Sequence, residues 1–217
     1  MLRGKLIQTY QGLSASYQVA DEFGEWIASA EIPQNYMMGE IYYRRHQADK
    51  YRLHCNPLNG LANIGKKADN KRFRMYQIFN SQGENCGHIC LKEEKTGFFS
   101  GYSFHEVLLE GRIYHFYMIG RGKEGVKHPF FEVVTGEEIQ IGLIEKPSVV
   151  YDMKDVYKYY IKDERYLDAA SLYILYQDYI KHGDKGAIPV HSKEVTYINT
   201  TNKELLKRYN PRFIEEE

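Results

Sequence analysis

The chain has 217 residues with 29 basic and 29 acidic side chains, so it fits one medium domain and carries no overall field that would recruit nucleic acid or a membrane. Its 20 tyrosines favour pleated, half-buried surfaces over helix interiors, which points to strands. The three cysteines, Cys55, Cys86 and Cys90, are too few and odd in number for the disulfide framework of a secreted domain, so a reducing, cytoplasmic setting is expected.

The first ten residues carry positive charge without an apolar run of signal-peptide length. No stretch reaches the roughly 18 apolar residues of a membrane span, and the longest candidate, 166–180, is interrupted by Asp168, Gln177 and Asp178. A soluble protein follows.

From residue 4 to about residue 162, short alternating runs are broken by Gly, Asn, Asp or Pro every ten or so residues, which predicts about a dozen strands. The clearest runs are 17–20, 26–29, 51–54, 76–79, 113–119, 131–134, 139–144 and 156–161. A spacing recurs among them: Tyr17, Val19, Asp21 and Gly24 are matched in type and offset by Tyr76, Ile78, Asn80 and Gly83. This is a hairpin arm, with apolar side chains on one face, a turn-forming Asp or Asn, and Gly where φ turns positive. Looser copies stand at Tyr51, Leu53, Asn56 and Gly60, and at Phe131, Val133, Thr135 and Gly136.

The period then changes. Residues 163–182 open with acidic side chains, end with Lys181 and His182, and are followed by Gly183, the ordinary signals of a helix start and stop. Asp168, Ser171 and Asp178 form one narrow polar stripe and the rest of the circumference is apolar, so this helix has to be surrounded. Its four tyrosines each require a partner for the hydroxyl. Residues 184–217 read as a carboxyl-terminal extension. It holds a possible short helix, capped by Thr201 with Glu204 and stopped at Asn210 and Pro211.

The repeated arm, the run 154–163 and the apolar helix after it together resemble the superfamily of tubby C-terminal domains, LURP-one-related proteins and phospholipid scramblases, over residues 4 to 182. The resemblance implies a mainly β fold, a closed antiparallel barrel of about twelve strands around a central hydrophobic α-helix. In tubby domains that helix closes the chain, whereas here an extension follows it. Tubby domains recognise phosphoinositide head groups through basic surface residues and scramblase relatives act at membranes. None of those basic positions is matched here residue by residue.

The charge is unevenly spread. Arg44, Arg45, Lys50, Arg52, Lys66, Lys67, Lys71, Arg72 and Arg74 stand against only Asp49 and Asp69 in residues 44–74, a local net of +7, and both flanking regions are acidic. These nine residues are the candidate anion-binding or lipid-binding set, because cations near an anionic surface attract lipid phosphates. Dispersal of the same residues among acidic partners is the bland alternative.

Other motifs carry less. Gly120-Arg-Gly-Lys-Glu-Gly125 matches a dinucleotide-loop string, but the residues after it read as a strand and not as the required helix, so a hairpin loop is expected in which Arg121, Lys123 and Lys127 could meet an anion. Cys86, His88 and Cys90 alternate along one strand, with His54 and Cys55 as further donors. A flat strand spaces such ligands too widely, so ordinary packing of free thiols is expected and no metal. Glu93 and Glu94 sit between Lys92 and Lys95 as a solvated turn would. No catalytic motif and no cofactor site is recognised. Three readings stand: a non-catalytic module that docks an anionic phospholipid at a membrane surface, a protein-interaction or regulatory domain, and an enzyme with an unrecognised site.

Overall fold

The computed structural model describes residues 1–11, 14–33, 40–55, 75–97, 100–151, 154–182, 192–194 and 196–215. Hairpin follows hairpin along the chain. The strands are β1 (Leu2–Gln11), β2 (Ala15–Asp21), β3 (Trp26–Ile32), β4 (Ile41–Arg45), β5 (Ala48–Cys55), β6 (Tyr76–Asn80), β7 (Asn85–Lys95), β8 (Gly101–Leu109) and β9 (Arg112–Tyr117). They continue with β10 (Ile119–Gly120), β11 (Val126–Val134), β12 (Glu137–Lys146), β13 (Val149–Tyr151), β14 (Val156–Ile161) and β15 (Ser192–Glu194).

Every pairing is antiparallel. The sheet runs β11, β12, β14, then β1 to β9 in order, and β9 returns to β11 with Phe116 opposite Phe130, closing a barrel of twelve strands. Among the described residues, closure leaves no edge strand in the wall. The short β10 lies outside this set and continues along β11 in the register of β9, with Ile119 opposite Lys127. β13 and β15 form a separate two-stranded ribbon.

The repeated arm behaves as its chemistry demands. Asp21 Oδ1 accepts the amides of Phe23 and Glu25 at 2.9 Å each, and Gly24 takes φ 85°. Asn80 Oδ1 accepts those of Gln82 and Glu84 at 3.0 and 2.9 Å, and Gly83 takes φ 81°. In both arms the side chain supplies the acceptor that an open turn lacks, and Gly occupies the left-handed region without steric cost. Tyr17, Val19, Tyr76 and Ile78 point inward and are buried. In the looser copies, Asn56 and Gly60 lie outside the described residues.

The predicted helix is present at the centre, in three pieces. Asp163 accepts the Arg165 amide at 2.9 Å and opens a 3-10 turn (Glu164–Tyr166), which leads into α1 (Leu167–Gln177) and then a wider π turn (Asp178–His182). The expected stop at Gly183 lies outside the described residues. Every residue of α1 is buried, polar ones included. Its rings interlock with the wall: Tyr173 stacks on Phe116 at 4.0 Å, Phe116 stacks on Phe130 at 4.7 Å, and Tyr176 meets the edge of Tyr76 at 5.2 Å. Removing each leucine of α1 from water contributes about 1.5–3 kcal/mol, which a surface helix collects on one side only.

The extension packs back onto the barrel. The Gly120 amide donates to the Thr200 hydroxyl at 2.9 Å and the Thr200 amide to the Gly120 carbonyl at 3.1 Å, and Leu205 and Phe213 are buried. Its short helix, α2 (Lys203–Leu206), is capped by Asn202 and not by Thr201. The Asn202 carbonyl reaches the amides of Glu204 and Leu205 at 3.0 Å each, the two donors a cap at that position faces.

A charge placed within the surrounded helix has no water to meet. Leu172→Asp, at a fully buried position, is expected to cost about 5 kcal/mol or more and to abolish cooperative unfolding in a thermal melt followed by circular dichroism. A soluble variant that melts cooperatively near the wild-type temperature would place this helix on a surface.

Candidate functional site

Strand geometry disperses the basic segment. On β4, Arg44 stays outside, with Nε donating to Asp49 at 2.7 Å and Nη1 3.8 Å from Glu31. Arg45 continues the inward alternation of Ile41 and Tyr43 into the barrel mouth, where Nη1 lies 3.3 Å from Asp168 and Nη2 donates to Glu164. Lys50, just past the turn, donates to the same Asp168. Arg52 lies 3.7 Å from Glu40 and over the Phe79 ring at 5.1 Å. Each of these four cations therefore has a carboxylate partner. Asp168 also accepts the Tyr43 hydroxyl at 3.0 Å, so the first turn of α1, where negative charge is favoured, is clamped from three sides.

Lys66, Lys67, Lys71, Arg72 and Arg74 lie outside the described residues. The strand ends that flank them, Cys55 and Tyr76, pair with each other at the opposite mouth, where Tyr76 meets Tyr176 and Tyr179. With about 3.4 Å of rise per residue, β5 carries the chain roughly 17 Å from Lys50 to that mouth.

That second mouth holds a buried polar network which no sequence motif announced. Tyr17 and Tyr157 donate to the two oxygens of Asp178 at 2.5 and 2.8 Å. Gln8 bridges the Tyr17 hydroxyl, at 3.3 Å, to the Asp155 amide, at 3.2 Å. Lys146, 2 % exposed, donates to Asp155 and lies 4.9 Å over the Tyr157 ring. Burial, and secondarily the negative charge of Asp155, push the Asp178 carboxyl up to about 7, against the tyrosine hydrogen bonds that favour its charged form. The one available signal was Asp178's place on the narrow polar stripe of the helix.

Beside this network a cavity of about 970 Å³ opens between the barrel and the returning extension, walled by His105, Met118, Tyr176, Ile180, Tyr197 and Thr200 among others. Tyr197 faces the network's charge, and burial together with Asp155 and Asp178 pushes its hydroxyl up to about 12. Asp178 itself is completely buried behind the wall.

The remaining motifs are readily placed. The glycine-rich string is a hairpin loop with a 3-10 turn at Gly122–Glu124, in which Arg121 lies 3.4 Å from Glu124 and Lys127 donates to Glu145 at 2.5 Å. Cys86 does not share the face of His88 and Cys90, contrary to the alternation expected. β7 bulges there, Asn85 opposing Phe79 and Gly87 opposing Ile78, so Cys86 turns toward the core and donates to the Ile78 carbonyl at 3.6 Å. Comparison with protein families, with curated proteins and with solved structures finds no match for this chain.

The raised Asp178 carboxyl gives stability a pH dependence of definite sign. The folded state holds this proton more tightly than the unfolded chain, so the contribution is present at acid pH and is lost as pH rises from about 4 through about 7. Asp178→Asn is expected to remove that slope. In urea melts at pH 5 and pH 8, the wild type should lose on the order of a few kcal/mol relative to the variant. Parallel pH profiles would show that Asp178 titrates in its ordinary range.

Proposed function

We propose that this chain is a non-catalytic, tubby-like module that docks an anionic ligand, a phospholipid head group at a membrane surface, through the basic segment within residues 44–74. The reading rests on one observation: the concentration of charge there. Arg44, Arg45, Lys50 and Arg52 are engaged by Glu31, Asp49, Glu164, Asp168 and Glu40. Lys66, Lys67, Lys71, Arg72 and Arg74 make up the rest of that charge, with Asp69 the single acid in residues 56–74. Among the described residues no helix is long and apolar enough to cross a membrane, which fits peripheral attachment.

Five cations near an anionic leaflet contribute about 1 kcal/mol each, and the attraction fades over a Debye length of about 10 Å at 0.1 M salt. Wild-type protein is expected to co-sediment with phosphatidylserine or phosphoinositide vesicles at low salt and to release at high salt. Changing Lys66, Lys67, Lys71, Arg72 and Arg74 to Glu should abolish this, whereas Arg44→Glu with Arg52→Glu should change it little. Indifference of the wild type to anionic vesicles, or equal binding by the five-fold variant, would leave the protein-interaction reading in its place.

A further inference from the structure

On the outer face of the barrel wall, side chains from three neighbouring strands converge on one carboxylate. Cys90 on β7 stands directly opposite Glu106 on β8, and Glu106 stands directly opposite His115 on β9. His88 comes two residues before Cys90, on the same face. The rise along one strand is too long for adjacent ligands to meet, but the spacing between strands, about 4.8 Å, is not. Glu106 bridges the gap. His88 Nε2 lies 3.5 Å from its Oε1, Cys90 Sγ lies 3.8 Å from the same oxygen, and His115 Nε2 lies 3.7 Å from its Oε2. One ligand atom each from His88, Cys90 and Glu106 falls within 4.8 Å of the other two.

We propose that His88, Cys90 and Glu106, which are already clustered, form a structural divalent-metal site of the zinc class on the outer wall of the barrel, with His115, beside the other Glu106 oxygen, as its fourth ligand. A tetrahedral zinc ion held at about 2.0–2.3 Å requires its ligand atoms to lie about 3.3–3.8 Å from one another; His88 and Cys90 stand at 3.5 and 3.8 Å from Glu106 Oε1, and the three ligand atoms as a set lie within 4.8 Å. The donor set of one thiol, two imidazoles and one carboxylate suits zinc or cobalt and not the hard, all-oxygen cations.

A second observation points the same way. His115 Nδ1 lies 2.6 Å from Glu138 Oε1, a carboxylate placed to accept from it, which turns Nε2 toward Glu106. Metal-binding histidines commonly have this carboxylate behind them. Glu138 is in turn held by Arg208 of the extension and by the Tyr117 hydroxyl, and Phe104 packs on the His115 ring at 4.7 Å. The imidazole is thus fixed before any ion arrives.

Lys92 holds the cation position meanwhile. Its Nζ lies 3.2 Å from Glu106 Oε1, and its half-exposed side chain is able to swing away. On binding, a sulfur–metal bond forms, the S–H bond breaks and the proton leaves to solvent, so affinity rises with pH.

Cobalt(II) titration of the full-length, chelator-treated protein tests this. One equivalent should saturate a near-ultraviolet sulfur-to-cobalt charge-transfer band together with the visible bands of a tetrahedral ion. Cys90→Ser should lose the charge-transfer band, while Cys86→Ser and Cys55→Ser keep it. Glu106→Gln, nearly isosteric and carrying the test if Cys90→Ser fails to fold, should weaken binding at least about tenfold, and Glu138→Gln by about 10- to 100-fold. Lys92→Met should tighten it. Absence of a saturable band in the wild type, its survival in Cys90→Ser, or unchanged affinity in Glu106→Gln would overturn the site and leave Glu106 as the partner of Lys92.

Discussion

The fold depends on how a fully buried helix disposes of two aspartates. A carboxylate taken out of water is tolerated only with close hydrogen-bonding partners, and α1 brings Asp168 at one end while the π turn brings Asp178 at the other. The wall answers each with side chains from distant strands: Tyr43, Arg45 and Lys50 for Asp168, Tyr17 and Tyr157 for Asp178. These contacts set the helix's depth and rotation more sharply than apolar packing, which is non-directional, is able to do.

The two ends use different chemistry. Asp168 meets two cations in a mouth reached by solvent, so its charge is neutralised. Asp178 meets only hydroxyls, with Asp155 nearby, and burial wins there. Lys146 is drawn to Asp155 instead, making a second buried pair whose net contribution is small because desolvation offsets attraction. The abundance of tyrosine follows from this design. A tyrosine fills the space between helix and sheet with its ring and delivers a donor at its tip.

Commitment of Arg45 and Lys50 to the helix also bears on recognition. Positive charge that secures the core is not available to a ligand, and Arg44 and Arg52 are offset by Asp49 and Glu40. The extension, for its part, joins the wall's outer face. Arg208 reaches Glu138, and Leu205 adds to a second apolar cluster with Tyr102, Tyr117, Ile119 and Phe131.

Local rules made much of this legible. Alternation marked the strands, the Asp or Asn and Gly of the repeated arm marked two hairpin turns, and the apolar circumference of residues 163–182 required a helix enclosed on all sides. These features depend on neighbours a few residues apart. The misreadings were local too: the cap moved from Thr201 to Asn202, and a single bulge turned Cys86 inward while His88 and Cys90 stayed outside. Only the tertiary structure decided which strand closes on which, that Arg45 and Lys50 serve Asp168, and that Cys90, Glu106 and His115 form one row. Arg45 and Asp168 lie 123 residues apart, and cross-strand register, which no local pattern encodes, is what aligns the row.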